Sequence, residues 1–258
     1  MEKPIGIFDS GIGGLSVLNK LKELLPNESF VYLADNINCP YGNKSKKEIV
    51  FFSVKNTSKL IELNCKMIVV ACNTATTNAI QKIRERVSVP VIGIEPGIKP
   101  AINYTKTNNI GVLATEKTLS SKLFMKTSKE NKIHNIKIHE QIGYDLVNTI
   151  EKRSFSRNEL FSILKSYLTP MINKNIDCLV LGCTHYNFLS DIIEEILPEN
   201  IILIDTITPV INHTKNTLIS NEILNNSNSK RYIHIFHNDN PLPKEYIQKD
   251  YILNYLKF

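Results

Sequence analysis

The sequence lacks the features that mark membrane and secreted proteins. No stretch of 18 apolar residues occurs in the 258-residue chain, so we expect no transmembrane helix. The first ten residues contain Glu2 and Asp9 and no apolar core of a signal peptide. The five cysteines are few and odd in number, which argues against a disulfide framework and favours a reducing, cytoplasmic setting.

Signals for nucleic-acid and nucleotide binding are also scarce. The net charge is only +6, and the one dense basic cluster, Lys44, Lys46 and Lys47, has no interleaved aromatic residues. It is typical of a solvated helix start rather than a nucleic-acid patch. The glycine-rich segment 9–14 lacks the endings and spacings of phosphate and dinucleotide loops. Its backbone N–H groups suit a small carboxylate better, although the glycines would equally serve a tight turn.

What the chain does contain is an alternation of short strands and helices, which predicts parallel α/β sheets. Capping boxes that begin at Ser45 and Ser156 predict two of the helix starts. The predicted strands are 5–8, 30–34, 67–71, 89–94, 110–114, 135–140, 177–183 and 201–205.

The second half of the chain repeats the strand order of the first. Gly111 follows Gly6 by 105 residues, and Cys183 follows Cys72 by 111 residues. Four strands at nearly one spacing predict two similar α/β units, and the matched cysteines strengthen this interpretation.

The segment after residue 205 exceeds the repeat. It predicts a helix over 209–219, a strand over 232–236 and a short terminal helix. We expect this segment to complete the first domain. The predicted domains are therefore 1–97 plus 208–258, and 98–207, with the active site in the cleft between them.

Two cysteines stand where a predicted strand gives way to a helix. Cys72 precedes Asn73 and Thr74, and Cys183 precedes Thr184 and His185. A helix N-terminus lowers a thiol pKa, so both pKa values are expected to move towards neutrality. A symmetric pair suggests an acid and a base on opposite sides of one substrate. The alternative is that both thiols are small buried hydrophobes.

The other cysteines show no such symmetry, and we interpret Cys39, Cys65 and Cys178 as bystanders. A metal site would combine Cys178, Cys183 and His185. That spacing matches no common zinc pattern, so no metal is expected.

Taken in order, the motifs resemble those of bacterial glutamate racemases, within the cofactor-independent aspartate/glutamate racemase superfamily. The resemblance covers roughly residues 5 to 206. The matching segments are 6–14 (GIFDSGIGG), 32–35 (YLAD), 40–42 (PYG), 72–75 (CNTA), 91–97 (VIGIEPG), 111–115 (GVLAT) and 182–186 (GCTHY).

The resemblance implies two α/β domains that interconvert L- and D-glutamate without a cofactor. Cys72 and Cys183 match the family's base and acid, with Asp9 beside the first and His185 beside the second. The positions that match substrate-binding residues are Asp9, Ser10, Tyr41, Gly42, Asn73, Thr74, Thr184 and His185. Glu151 is a weaker candidate, because a helix-surface glutamate is the commoner case.

The resemblance also implies a role in supplying D-glutamate for peptidoglycan, a cytoplasmic location and a homodimer, with no nucleic-acid or membrane partner. Asn187 and Thr206 depart from the family's usual proline and serine, which leaves the loops of the second domain open. Three alternatives remain open: an aspartate racemase, a non-catalytic amino-acid-binding protein and a cysteine hydrolase. Strict preference for glutamate depends on the shape of the cleft.

Overall fold

Two all-parallel β-sheets organise the chain, which confirms the predicted fold class. The computed structural model describes residues 3–130, 135–153, 155–226 and 231–258. The first sheet contains β1 (Ile5–Asp9), β2 (Phe30–Ala34), β3 (Met67–Val70), β4 (Val91–Gly93), β9 (Ile233–His237) and β10 (Ile252–Tyr255). The second contains β5 (Asn109–Ala114), β6 (Lys137–Ile142), β7 (Cys178–Gly182) and β8 (Ile202–Ile204).

The two sheets share one strand order. The first runs β10-β9-β2-β1-β3-β4 and the second runs β6-β5-β7-β8, so the last four strands of the first sheet correspond to the whole of the second. Phe8 pairs with Val70 between β1 and β3, and Leu113 pairs with Leu181 between β5 and β7. The predicted repeat is therefore present, and it places Cys72 and Cys183 after equivalent strands.

Helices follow most of the strands, as a right-handed parallel arrangement requires. The helices are α1 (Leu15–Leu24), α2 (Lys46–Glu62), α3 (Asn73–Arg84), α4 (Ile98–Tyr104), α5 (Glu116–Leu119), α6 (Lys122–Glu130), α7 (Leu146–Lys152), α8 (Arg157–Ile172), α9 (Ser190–Ile196) and α10 (Ile207–Ser220). Short 3-10 helices cover Asn36–Asn38, Tyr41–Asn43, Thr184–Leu189 and Lys244–Tyr246. Both predicted capping boxes are confirmed, because Ser45 and Ser156 each accept from the backbone three residues on.

The predicted terminal helix is wrong, because the chain ends in a strand. Ile252–Tyr255 pairs in parallel with 234–237 of β9 and forms the edge of the first sheet. The Tyr, Ile and Leu side chains of this segment suit a pleated surface, and pairing with β9 satisfies backbone groups that a helix of this length would leave unpaired at its ends. β9 and β10 thus extend the first sheet, while the domain boundaries at 97 and 207 stay a prediction.

The strands that carry the site are buried on both faces. All residues of β1, β3 and β7 are buried. Because the strands of each sheet pair in parallel, their carboxyl ends lie at one edge of that sheet. Within the described ranges, no helix has the length and apolar character needed to cross a membrane.

Candidate active site

The carboxyl ends of the central strands of both sheets carry the predicted site residues. Asp9 ends β1, Cys72 follows β3, Thr115 follows β5 and Cys183 follows β7. All four are buried. Contacts of Glu151 with Ile12 and of Thr74 with Thr115 bring these strand ends into one cleft, as expected for facing parallel sheets.

Cys72 is held by the backbone of its own helix. It is the N-cap residue of α3, and its Sγ accepts a hydrogen bond from the Ala75 N–H at 3.4 Å. Ser10 Oγ lies 4.0 Å from the same sulfur. The strand-to-helix junction therefore directs this thiol towards the end of β1.

The predicted decrease in the pKa of Cys72 is wrong for the structure as it stands. Burial raises the pKa of this thiol well above its ordinary value, and the nearby Asp9 carboxylate raises it further. The Ala75 N–H acts in the opposite direction but is outweighed. The helix start is present, but desolvation of a charged sulfur is the larger effect.

Cys183 has different surroundings. A 3-10 helix, Thr184–Leu189, follows it rather than the expected α-helix, and Cys183 makes no capping hydrogen bond. Its Sγ lies 3.9 Å from Nδ1 of His185. Asn187 donates to the Thr184 carbonyl at 3.0 Å and closes the turn at the position where the family usually has proline.

His185 connects the two halves of the site. Its Nε2 is 2.6 Å from Glu151 Oε1, and its Nδ1 is 4.0 Å from Asp9 Oδ2. Burial alone would lower the pKa of His185. Hydrogen bonds to Cys183, Cys39 and Glu151 outweigh burial, so the pKa of His185 lies well above its ordinary value. Glu151 shows the complementary change, because its contacts with His185 and Ile12 lower its pKa despite burial.

Glu151, the weaker candidate of the sequence analysis, lies in the cleft and not on the helix surface. Its carboxylate accepts from the Ile12 N–H at 2.8 Å, and its side chain is only 15% exposed. The glycine loop after β1 does bind carboxylates, but those of the protein itself, because the Gly14 N–H likewise donates to Asp9 at 2.8 Å.

The glycines of this loop permit a close approach of the second half of the chain. A Cβ at Gly11 would collide with the Glu151 carboxylate, and one at Gly13 with the His185 ring. The described glycines have no positive φ, so the need for glycine at these two positions is steric rather than conformational.

A second contact between the halves is made by neutral side chains. Thr74 Oγ1 lies 2.9 Å from Thr115 Oγ1 and 3.3 Å from Thr118 Oγ1. Gly42 packs against Thr115, where a Cβ would come within 2.9 Å of the threonine Cβ. Thr118 was not among the predicted site residues; it lies one helical turn after the end of β5.

Among the described residues, Asn73 carries buried amide atoms with no partner on either its oxygen or its nitrogen, and Asp9 Oδ1 is also unpaired. Buried polar atoms rarely remain unpaired in proteins, so these atoms are candidates to contact a ligand. Tyr41 differs, because its hydroxyl donates to Asp35 and accepts from Asn56 within the protein.

Cys39 was predicted to be a bystander, and the structure places its side chain against site residues. Its Sγ lies 3.6 Å from Glu151 Oε1 and 4.0 Å from Ser10 Oγ. Burial raises the pKa of this thiol to about 12. Its position directly before the 40–42 segment, already assigned to the site, was the signal that would have included it. Cys65 and Cys178 are buried, consistent with packing.

A cavity of about 200 Å³ borders the site and is lined in part by Gly42 and Thr115. A larger cavity of about 1110 Å³ lies between α2, α3 and α6 and contains none of the predicted site residues. Lys46 and Lys47 line that larger cavity and are exposed, which agrees with their interpretation as a solvated helix start. Of these two cavities, only the smaller one contacts predicted site residues, and neither the Cys72 sulfur nor the Cys183 sulfur lines it.

Comparisons with known proteins decide the family. A model of Asp/Glu/hydantoin racemases matches residues 5–214. The chain belongs to this family. A glutamate racemase of Ralstonia pickettii is 45% identical over 84% of this chain and 77% of its own length. One of Herpetosiphon aurantiacus is 41% identical over 89% and 90%, respectively.

Solved racemase structures share the fold. The glutamate racemase of Francisella tularensis, solved in complex with D-glutamate, superposes with a TM-score of 0.86 at 30% identity and covers 100% of this chain and 97% of its own. The family resemblance inferred from the motifs is thereby confirmed, and the chain is an amino-acid racemase.

Proposed function

We propose that this racemase interconverts L- and D-glutamate without a cofactor, by removing the Cα proton with one cysteine and returning a proton with the other. The observation that carries the proposal is the equivalent placement of Cys72 and Cys183 after matching strands of two sheets with one strand order. The similarity to glutamate racemases supports glutamate as the substrate.

The proposed reaction removes one proton from Cα and adds another proton to its opposite face. A thiolate on one face of Cα takes the proton, so that a C–H bond breaks and an S–H bond forms. The electron pair delocalises into the substrate carboxylate, and the opposite thiol then donates its proton to Cα. For the other enantiomer the two sulfurs exchange roles.

The surroundings of Cys72 bear on this step. A raised pKa makes its thiolate, once formed, a stronger base towards the weakly acidic Cα proton. Negative charge on Cys183 adds to the raised pKa of Cys72, because a like charge nearby disfavours a second thiolate. The pair should therefore hold one negative charge rather than two.

Substrate recognition follows from the unpaired polar atoms. We assign the Asn73 amide to the α-carboxylate and the Asp9 carboxylate to the ammonium group of the substrate. Ser10 and Thr184 are placed beside the two cysteines to add hydrogen bonds. Proton transfer alone contributes about 10²–10⁴-fold, so the remaining stabilisation of the carbanion must come from such donors.

The test is a cofactor-free assay of D- and L-glutamate with purified protein. Alanine at Cys72 or at Cys183 should abolish racemisation, whereas alanine at the remote Cys65 should preserve it. With Cα-deuterated glutamate as substrate, serine at one cysteine should enlarge the kinetic isotope effect mainly for the enantiomer from which that residue abstracts the proton. Full racemisation by either alanine variant would sink the two-thiol mechanism.

The assay also separates the alternatives. If aspartate is turned over faster than glutamate, the protein is an aspartate racemase. If glutamate binds but is not turned over, the protein is a binding protein. We further propose, from the family resemblance, that the protein supplies D-glutamate for peptidoglycan in the cytoplasm as a homodimer.

A further inference from the structure

Three potential metal ligands from separate parts of the chain converge at the edge of the cleft. They are Cys39 from the loop after β2, Glu151 from α7 and His185 from the 3-10 helix after β7. Their ligand atoms all lie within 4.8 Å of one another. Neither sulfur of the proposed proton-transfer pair belongs to this group.

The chemistry of the three ligands selects a particular kind of cation. A thiolate, an imidazole and a carboxylate are the ligands of zinc, with bond lengths of about 2.0–2.3 Å. Tetrahedral binding at those lengths separates the ligand atoms by about 3.5 Å. The Cys39 Sγ to Glu151 Oε1 distance is already 3.6 Å, whereas the 2.6 Å hydrogen bond from His185 would have to lengthen.

Groups behind the ligands hold them in place. Glu151 is anchored by the Ile12 N–H at 2.8 Å. The other ring nitrogen of His185 faces the Asp9 carboxylate at 4.0 Å, and the second oxygen of Asp9 is buried without a partner. In zinc sites a carboxylate that accepts from the other ring nitrogen of a ligating histidine orients the ring. Asp9 would take this role if zinc binding shortened its 4.0 Å distance from His185 to that of a hydrogen bond.

We propose that Cys39, Glu151 and His185 form an inhibitory site for Zn²⁺, with a fourth position open to water. Binding replaces the Cys39 thiol proton and any proton on His185 Nε2, and both are released to solvent. The cation would separate Glu151 from His185 and tie the loop after β2 to the second sheet. Inhibition rests on the proposed racemase function, whereas binding does not.

The binding test compares three proteins. Zn²⁺ affinity is measured by competition with a chromophoric chelator for the wild type, Cys39→Ser and the control Cys65→Ser. We expect serine at 39 to weaken binding at least about tenfold and serine at 65 to leave it unchanged. Co²⁺ should give a thiolate-to-metal absorption band in the wild type and the control, but not in Cys39→Ser.

A wild-type measurement keeps the test independent of the variant's folding. Zn²⁺ should protect Cys39 from alkylation, with the modified cysteine identified by mass spectrometry. Equal affinity in Cys39→Ser, protection confined to Cys72 and Cys183, or no Zn²⁺ binding would each overturn the site.

The activity arm uses the racemase assay. Zn²⁺ should inhibit the wild type reversibly, a chelator should restore activity, and Cys39→Ser should need at least about tenfold more Zn²⁺ for the same inhibition. Equal inhibition of both proteins would overturn the inhibitory role. If the protein does not racemise glutamate, the binding result still decides whether the site exists.

Discussion

The two cysteine half-sites occupy equivalent positions in the two sheets but are built from different chemistry. Cys72 caps α3 by accepting from the Ala75 N–H, and it lies near Ser10 and the Asp9 carboxylate. Cys183 has no cap and lies beside His185, which is paired with Glu151. Equivalent strands thus give equivalent positions, while the segments that follow them determine which groups surround each sulfur.

The groups that support the two sulfurs therefore differ in charge. On the Cys72 side the supporting group is a backbone N–H with no titratable proton in the working pH range. On the Cys183 side the support comes from the ion pair of His185 and Glu151. The Glu151 carboxylate also accepts a hydrogen bond from Ile12 in the glycine loop. We expect perturbation of the ion pair to affect both half-sites, because Glu151 and His185 touch the first sheet's loop and Asp9.

The largest loss of activity should come from a side chain that pushes the two cysteine half-sites apart. In Gly13→Ala the new methyl group would meet the His185 ring and come within 2.8 Å of Thr184 Oγ1. A misplacement of about 1 Å costs roughly 100-fold in rate, so kcat/KM should fall by about that factor. Racemase assays on the folded variant, checked by thermal melting, measure this.

The control for that variant is Gly97→Ala. Its Cβ would lie 2.8 Å from Thr206 Cγ2, a close contact with none of the predicted site residues, although less tight than the approach of a Gly13 Cβ to His185 Nδ1. This variant should lose stability but retain activity per folded molecule. A loss of only a few-fold in Gly13→Ala, or equal losses in both variants, would contradict the proposed role of the close approach.

A smaller effect should appear in stability as a function of pH. The folded pKa of His185 is raised above its unfolded value of about 6.5, so its charged form stabilises the fold fully below that pH. This contribution is lost as the pH rises through the folded pKa. The melting-temperature difference between wild type and His185→Asn should therefore shrink as the pH increases above about 6.5.

His139 provides a control of opposite sign. Burial, with Lys174 and Lys137, lowers its folded pKa, so neutral His139 contributes more at higher pH. The difference between wild type and His139→Asn should therefore not shrink over the same range. Parallel behaviour of the two variants would mean that the His185 ion pair does not control the pH dependence.

The sequence predicted those features that depend on local pattern. Apolar strands, capping boxes and the repeat are encoded within short segments, and all eight strands predicted for the repeat are present. The pKa of Cys72 could not be predicted, because it depends on how deeply the sulfur is buried and on Asp9, 63 residues away in the chain. The contacts of Cys39 and Glu151 could not be predicted for the same reason, since they are made across the cleft.

The smallest expected effect is the change in stability on removing the helix cap, which only one of the two half-sites has. Cys72→Ala and Cys183→Ala delete the same atoms from residues that are 5% and 6% exposed, respectively. Only the first loses a hydrogen bond to a helix N-terminal N–H. Loss of an N-cap costs about 0.5–2 kcal/mol, and a 3.4 Å contact to sulfur should fall at the low end. Denaturant unfolding should therefore show Cys72→Ala to be the less stable variant by about 0.5 kcal/mol. A greater loss at Cys183 would show that the contact of its sulfur with His185 contributes more than the α3 cap.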